Sequence, residues 1–276
     1  MIRSEGLAKV YRKGHSNHSN PGTHMVHVLI ATPTAGGVVK ALYATTLIKV
    51  VKAIKEAGWE LDFVTVDSSY VWKARNYFAH VLLSQSNFSH LVMIDSDMAV
   101  EGHVIPRLIA ADKPVVAAAY SQRRMDMDSF ALASRSGELA LSELTALALE
   151  YNLQPELEAG TRTVKVVDGM CRVNYVALGC SVIRRDAFEC LIRAGAVRPR
   201  PDRFLERSGF QGPFFDFFCE LTLDDGDILS EDYSFCRRWR SVAGNQIWAL
   251  IDESIGHVGE MVYGAPYVNR LRRGKA

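Results

Sequence analysis

Two carboxylates, Asp95 and Asp97, follow directly after an apolar run in the chain. The segment reads SHLVMIDSDM, and its apolar residues favour a buried strand. Side chains two apart in a strand project to one face, so this pair is able to bind one hard cation while Ser96 points away. A divalent cation held by few protein oxygens keeps positions open for a nucleotide diphosphate. The triplet predicts a metal site for a nucleotide-linked substrate, although Asp-x-Asp also occurs in ordinary turns after strands.

A second acidic pair, Glu231 and Asp232, begins a predicted helix in the segment LSEDYSFCRRW, with Ser230 as its N-cap. Carboxylates in a first helical turn offset the helix dipole, which is by itself a sufficient reason for their presence. Further on, His257 stands between glycines in the segment IGHVG. Such a histidine allows the backbone to approach closely, as a ligand site requires, but most loop histidines lie at the surface.

The elements that must position these residues alternate between strands and helices. We predict strands at residues 26–31, 61–66, 91–94 and 115–119, and helices at residues 42–57, 70–83 and 104–111. Near-continuous runs of Val, Ile and Leu predict an α/β fold whose mostly parallel, Rossmann-like central sheet is covered by helices on both faces. Ligands of such sheets bind outside the carboxyl ends of the strands. Thr32, Pro33 and Asp67 fall on this edge together with Asp95 and Asp97.

The second half of the chain is less regular. Residues 122–160 are polar, with a helical pattern at 138–151, and we expect an insertion over the site that is mobile until substrate binds. Strands follow at residues 163–167, 172–177, 178–183 and 246–251, and a helix begins at Asp186. Four phenylalanines around Asp216 fit a core cluster and an acceptor pocket equally well; they are Phe214, Phe215, Phe217 and Phe218.

Composition excludes several classes of protein. The 276 residues are 48% hydrophobic and 23% charged, with a net charge of +1, so total charge does not drive binding to nucleic acid or to an anionic membrane. Five cysteines without a Cys-x-x-Cys pair imply neither a zinc site nor a disulfide framework and suit a cytoplasmic protein. No apolar segment reaches the roughly 18 residues of a membrane span, and no secretory signal is present. We expect residues 1–24 to form a flexible extension outside the fold.

Taken in order, these segments resemble the GT-A class of nucleotide-sugar glycosyltransferases. The chain is most similar to compact members from bacteria, large viruses and phages, which carry an Ala/Ser-Arg-Asn element ahead of IDSDM and a Glu-Asp-x-x-Phe segment after it. Here these elements are Ala74-Arg75-Asn76 and the segment EDYSF. The resemblance implies a single GT-A domain over residues 25–276. Within it, residues 25–120 bind the nucleotide sugar, 121–162 are a variable insertion, and 163–276 form the acceptor and catalytic half.

The resemblance also implies the cofactor and its ligands. Asp97 would bind Mn²⁺ or Mg²⁺ directly, Asp95 would contact the ribose, the metal or a metal-bound water, and His257 would complete the shell. Mixed carboxylate and imidazole ligation suits Mn²⁺ somewhat better than Mg²⁺. In the same way it implies a set of donor-binding residues, namely Thr32, Pro33, Asp67, Arg75, Asn76, Asp95 and Ser96. For Arg75, a solvated helix face is an equal alternative.

The predicted reaction moves a sugar, of the hexosyl class, from a nucleoside-diphosphate sugar to an acceptor hydroxyl. Asp232 would be the general base and Glu231 a positioning acceptor of hydrogen bonds, while both inverting and retaining stereochemistry fit the pattern. The acceptor would be a glycan, a protein, a small molecule or a modified DNA base. Two alternatives are a sugar-phosphate nucleotidyltransferase, whose Gly-rich phosphate loop the segment ATPTAGGVVKA lacks, and a non-catalytic nucleotide-sugar or glycan-binding protein.

Overall fold

A ten-stranded sheet with helices on both faces forms the centre of the computed structural model, which describes residues 9–10 and 26–260. The first part of the chain forms, in order, β1 (Lys9–Val10), β2 (His27–Thr34), α1 (Ala41–Glu56), β3 (Glu60–Asp67), α2 (Val71–Ser84), β4 (His90–Ile94), β5 (Met98–Ala99), α3 (Val104–Ala110) and β6 (Val115–Ala118). The predicted elements from residue 26 to 119 are confirmed, with bounds within about three residues of those expected. Of the predicted extension at residues 1–24, only Lys9–Val10 is described, and it pairs antiparallel with β3; the rest lies outside the described residues.

The middle segment forms a small subassembly of its own. It comprises β7 (Ser121–Met125), α4 (Met127–Ala133), a 3-10 turn (Ser134–Ser136), α5 (Leu141–Ala148), β8 (Leu149–Tyr151) and β9 (Leu153–Pro155). Strands β7 and β8 pair with each other, and β9 joins the main sheet. The helix predicted at residues 138–151 is therefore shorter than expected, because its last turn is strand β8.

The last part of the described chain returns to the sheet. It forms β10 (Val166–Val167), β11 (Met170–Val176), β12 (Cys180–Arg184), α6 (Arg185–Arg193), β13 (Pro199–Arg200), α7 (Arg203–Arg207), β14 (Phe214–Phe215), β15 (Leu221–Thr222), β16 (Ile228–Leu229), α8 (Glu231–Ser241), β17 (Ile247–Leu250) and β18 (Gly256–His257). The strand predicted at 163–167 is wrong in length, since only its last two residues form β10. Within the described residues, no helix has the length and apolar character that crossing a membrane requires.

The direction of the strands differs in part from the expected pattern. The order along the sheet is β1-β3-β2-β4-β12-β6-β17-β11-β10, with β9 also paired to β11. Strands β2, β3, β4, β6 and β17 run the same way, but β12 is antiparallel to both of its neighbours and β11 is antiparallel to β17. Strand β12 is buried along almost its whole length, so its apolar pattern carries no sign of its direction.

The two faces of the sheet have separate cores. On β2, Leu29 faces the core that contains Phe78 of α2, whereas Val28 faces the core that contains Val50 of α1. This alternation is the two-residue period of a strand covered on both sides. Because β2, β3 and β4 are parallel, their carboxyl ends lie at the same edge of this sheet.

Candidate functional site

A cleft of about 570 Å³ opens at the carboxyl ends of β2, β3 and β4. Its size is that of ordinary small-molecule sites. Its lining includes residues around the ends of β2 and β3 and the start of α2, namely Pro33, Thr34, Ala35, Ser68, Ser69 and Val71. The other lining residues are Arg75, Asp95, Ser96, Asp97, Tyr120, Arg123, Asn152, Ala177, Ser230, Glu231, Asp232, Tyr233 and His257. Most of the residues predicted from strand ends and from the two acidic pairs therefore meet in one place.

A buried arginine joins the two acidic pairs. The side chain of Arg75 is 2% exposed, and its Nη1 and Nη2 atoms donate to the two carboxylate oxygens of Asp95, each at 3.3 Å. Its Nη2 also donates to Oδ2 of Asp232 at 3.4 Å, and its Nε lies 3.8 Å from Glu231. The alternative of a solvated helix face is wrong, because the side chain is buried; donor binding by Arg75, which lines the cleft, stays a prediction. Arg75 is a positive centre shared by three carboxylates.

The charges around Arg75 change the acidity of Asp232. Burial raises the pKa of Asp232 from its ordinary value of 3.8 to about 7, and the nearby charges of Glu231 and Asp95 act in the same direction. The guanidinium of Arg75 and the N–H of Leu178, which donates to Oδ2 at 3.0 Å, oppose this rise. One positive charge does not balance three negative ones, so Asp232 retains its proton more readily than an exposed carboxyl group. A carboxyl group with a pKa near neutrality suits proton transfer.

His257 reaches Asp97 through a short strand pair. In the β5–β18 ladder His257 lies opposite Met98, and the N–H of Val258 donates to the carbonyl of Asp97 at 2.8 Å. The two strands lie so close together that a Cβ on Gly256 would be 3.0 Å from the Cβ of Ala99. The imidazole Nε2 is thereby brought to 3.5 Å from Oδ2 of Asp97. The glycine beside the histidine thus permits the approach that the sequence pattern predicts.

The orientation of the His257 ring is set by its other nitrogen. Nδ1 lies 2.9 Å from the carbonyl oxygen of Ser121, which only accepts, so Nδ1 carries a proton and Nε2 faces Asp97. Burial alone would lower the pKa of His257, but the hydrogen bonds to Asp97 and to the Ser121 carbonyl raise it above its ordinary value. Burial likewise would raise the pKa of Asp97, and His257 and Arg123 together lower it. Asp97 is therefore held ionised.

Two side chains of the kinds that bind metal ions lie next to each other in the cleft. Asp97 and His257 offer one oxygen and one nitrogen side by side, a pair suited to Mn²⁺. Among residues 26–260, no group of three His, Cys, Asp or Glu side chains is arranged to hold a metal ion. Asp95, also predicted as a ligand, directs both of its oxygens to Arg75 instead. Phosphate oxygens and water would have to complete the shell.

Two predicted donor-binding residues point away from the cleft. Thr32 is fully buried and its hydroxyl is hydrogen-bonded to that of Tyr43 on α1, because Thr32 shares with Val28 and Ile30 the face of β2 that packs in the core with Tyr43. Asn76 is 2% exposed, and its Oδ1 accepts from the backbone N–H groups of Phe217 and Phe218 at 3.0 and 3.1 Å. Successive helical residues are about 100° apart, so Asn76 cannot share the direction of Arg75. The prediction that Thr32 and Asn76 bind the donor is therefore corrected: both residues contribute to the structure instead.

The remaining predictions are divided between the cleft edge and the core. Asp67 is exposed at the end of β3 and is not among the lining residues, whereas Ser96 is. The phenylalanines around Asp216 are core residues: Phe214, Phe217 and Phe218 are at most 4% exposed, and no phenylalanine lines the described cleft. Ser230 stands at the N-cap of α8, but its side chain makes no capping hydrogen bond. All five cysteines are free thiols, as predicted.

Sequence reasoning missed the residues that the middle segment brings to the cleft. Tyr120 immediately precedes β7, Arg123 lies within it, and Asn152 lies between β8 and β9. Nη1 of Arg123 donates to Oδ2 of Asp97 at 3.0 Å. The adjacent arginines in SQRRM were the available signal, but a polar segment without a recognised motif gave no reason to single them out.

No protein-family model and no curated protein sequence matches the chain. Among solved structures, the chain is similar to the one titled "Crystal Structure of A197 from STIV", with 15% sequence identity and a TM-score of 0.42. The matched region covers 85% of this chain and 87% of that one. Similarity at this level assigns neither a family nor an activity, so function has to be inferred from the chemistry of the cleft.

Proposed function

We propose that the protein is a metal-dependent glycosyltransferase of the GT-A type, which moves a sugar from a nucleoside-diphosphate sugar to the hydroxyl group of an acceptor. The observation that carries this proposal is the pairing of Asp97 with His257, 3.5 Å apart, at the carboxyl edge of the sheet beside a second acidic cluster. Nucleotides bind at this edge in open α/β sheets.

The charge of the cleft supports a cation. Four carboxylates line it, Asp95, Asp97, Glu231 and Asp232, against the two guanidinium groups of Arg75 and Arg123. An excess of up to two negative charges repels a diphosphate, so an anionic donor needs a divalent cation to enter. When bound, that cation would supply the Lewis acidity that stabilises the departing diphosphate.

We expect different parts of the cleft to bind the nucleoside, the diphosphate and the acceptor. Pro33 and Thr34 end β2, Ser68 and Ser69 follow β3, and these four residues offer small, partly polar surfaces to a nucleoside. The centre, with Asp97 and its neighbours, would receive the diphosphate. The part of the cleft near Tyr233 would receive the acceptor, because Tyr233 directly follows Asp232, the proposed base.

Asp232 is the proposed general base. In the transfer, an acceptor oxygen forms a bond to the anomeric carbon as the bond from that carbon to the phosphate oxygen breaks, and the hydroxyl proton passes to Asp232. Its Oδ1 makes no hydrogen bond in the described residues, although Nε of Arg75 lies 3.0 Å away. Because its pKa is raised to about 7, transfer should slow as the pH falls below neutrality. Glu231 would hold the acceptor by accepting a hydrogen bond.

The test is release of nucleoside diphosphate from a panel of nucleotide sugars in the presence of Mn²⁺. We expect slow hydrolysis of one donor by the wild type, loss of this activity in Asp97→Asn, and wild-type activity in Asp128→Asn, a control at an exposed position outside the cleft. Release of pyrophosphate from a nucleoside triphosphate and a sugar phosphate would instead indicate the nucleotidyltransferase. Binding of a donor without any turnover would indicate the non-catalytic alternative.

A further inference from the structure

Arg123 occupies a position beside Asp97 that a cation would also need. Its Nη1 lies 3.0 Å from Oδ2 of Asp97, the same oxygen that faces Nε2 of His257 at 3.5 Å. Asp97 and His257 are the two donors of the proposed cation site, so the guanidinium already neutralises the carboxylate there. A second positive charge cannot approach Oδ2 closely without displacing Arg123 or sharing the carboxylate with it.

The stem of Arg123 packs against Gly259, while about half of the side chain is exposed to solvent. A Cβ built on Gly259 would lie 2.9 to 3.2 Å from the Cβ, Cγ and Cδ atoms of Arg123, so the glycine backbone packs directly against the arginine stem. The side chain is nevertheless 52% exposed. Rotation about the last bonds of the side chain would let the guanidinium group change partners without movement of the aliphatic part or of the β7 backbone.

Strand β7 connects both halves of the proposed cation site. The carbonyl of Ser121 accepts the Nδ1 proton of His257, and two residues later Arg123 pairs with Asp97. One short strand therefore orients one donor through a backbone carbonyl and neutralises the other through a side chain. The middle segment, for which the sequence offered only a covering role, is thus part of the site itself.

We propose that Arg123 is a diphosphate-binding residue that pairs with Asp97 while the cleft is empty and transfers to the phosphate oxygens when the divalent cation and donor enter. The inference rests on the proposed function and deepens it. A guanidinium group binds phosphate through two parallel hydrogen bonds, which outweigh one half-exposed ion pair. The exchange lets a single arginine balance Asp97 before the donor binds and the diphosphate afterwards.

The exchange predicts effects of opposite sign on two ligands. In Arg123→Ala, Mn²⁺ no longer has to compete with the guanidinium group for Asp97. This variant should therefore bind Mn²⁺ alone about two- to five-fold more tightly, as expected for release of one half-exposed ion pair. The same variant should bind nucleoside diphosphate in saturating Mn²⁺ about ten-fold more weakly, as expected for loss of hydrogen bonds to a charged group. A general distortion of the cleft would weaken both.

The experiment measures Mn²⁺ binding by the loss of the free-ion EPR signal, and binding of UDP, GDP and ADP by calorimetry in Mn²⁺. Arg124→Ala, the exposed neighbour on β7 that does not line the cleft, is the matched control and should match the wild type in both. Unchanged or weaker Mn²⁺ binding in Arg123→Ala, or an unchanged nucleotide affinity, would overturn the exchange alone. A wild-type protein that binds neither Mn²⁺ nor any nucleotide would overturn the proposed function, and the exchange with it.

Discussion

Nε2 of His257 lies 3.5 Å from Oδ2 of Asp97, although the two residues are far apart in the sequence. The β5–β18 ladder makes this contact, because His257 pairs with Met98, the residue directly after Asp97. Backbone hydrogen bonds thus hold two residues of different chemical type side by side, and the attraction between their side chains adds to this pairing. This preorganisation is what a cation site at the edge of the sheet requires.

Replacing Arg75 should strongly destabilise the protein. Arg75→Met would leave Asp95 and Asp232 without their shared positive charge at a buried position, and breaking such a pair typically costs about 3 to 5 kcal/mol. The free energy of unfolding from urea titration measures this loss, with Arg124→Ala as an exposed arginine control expected to change it by less than about 0.5 kcal/mol. A loss below about 1 kcal/mol in Arg75→Met would show that the carboxylates do not depend on the arginine.

The stability of the protein should depend on pH through Asp232. Its pKa is raised from 3.8 to about 7 by burial and by the neighbouring carboxylates, so the folded protein binds this proton more tightly than the unfolded chain. The contribution of Asp232 to the free energy of unfolding therefore falls as the pH rises from about 4 through about 7. Measured by urea titration between pH 5 and 8, the wild type should lose stability relative to Asp232→Asn, by more than about 1 kcal/mol. Parallel pH curves for the two proteins would contradict the raised pKa.

Asn76 should contribute to the stability of the fold and not to the binding of the donor. Asn76→Ala removes the acceptor of two buried backbone N–H groups, those of Phe217 and Phe218, at a cost of about 1 to 3 kcal/mol each if they stay unpaired. We expect a lower melting temperature in thermal unfolding and an unchanged dissociation constant for nucleotide in Mn²⁺ at a temperature where the variant is folded. A weakened nucleotide affinity with unchanged melting would restore the donor-binding role predicted from the sequence.

Gly179 should tolerate no side chain. A Cβ at this position would lie 2.6 Å from Oδ2 of Asp95 and 2.6 Å from the hydroxyl of Tyr120. Asp95 is held by Arg75 and Tyr120 is 5% exposed, so neither is able to move aside freely. Gly179→Ala should lower the free energy of unfolding by about 1 to 3 kcal/mol and weaken nucleotide binding together. Wild-type values of both in urea titration and calorimetry would show that the contact is easily relieved.

The local pattern of the sequence predicted the strand ends and the placement of the acidic pairs. Asp95 and Asp97 follow β4 as expected, and Glu231 and Asp232 begin α8. These positions follow from short-range periodicity, which a single sequence carries. The direction of β12 did not follow, because a strand buried on both faces shows the same apolar run in either direction.

Local sequence patterns did not predict the long-range contacts of charged side chains. The buried position of Arg75 depends on three carboxylates from two distant segments, and no local pattern distinguishes it from a solvated arginine. Arg123 was missed for the same reason. The errors at Thr32 and Asn76 have a different source, since the strand period already places Thr32 on the other face from Pro33 and the helix period turns Asn76 about 100° from Arg75.

The most direct test of the central claim, that Asp97 and His257 bind a divalent cation which holds a diphosphate, is calorimetric titration of wild-type protein and Asp97→Asn with UDP, GDP and ADP, with and without Mn²⁺. We expect one nucleotide to bind the wild type only when Mn²⁺ is present, and Asp97→Asn to lose this binding while its thermal unfolding remains cooperative. Equal nucleotide affinity in the two proteins, or an affinity that Mn²⁺ does not change, would contradict the claim.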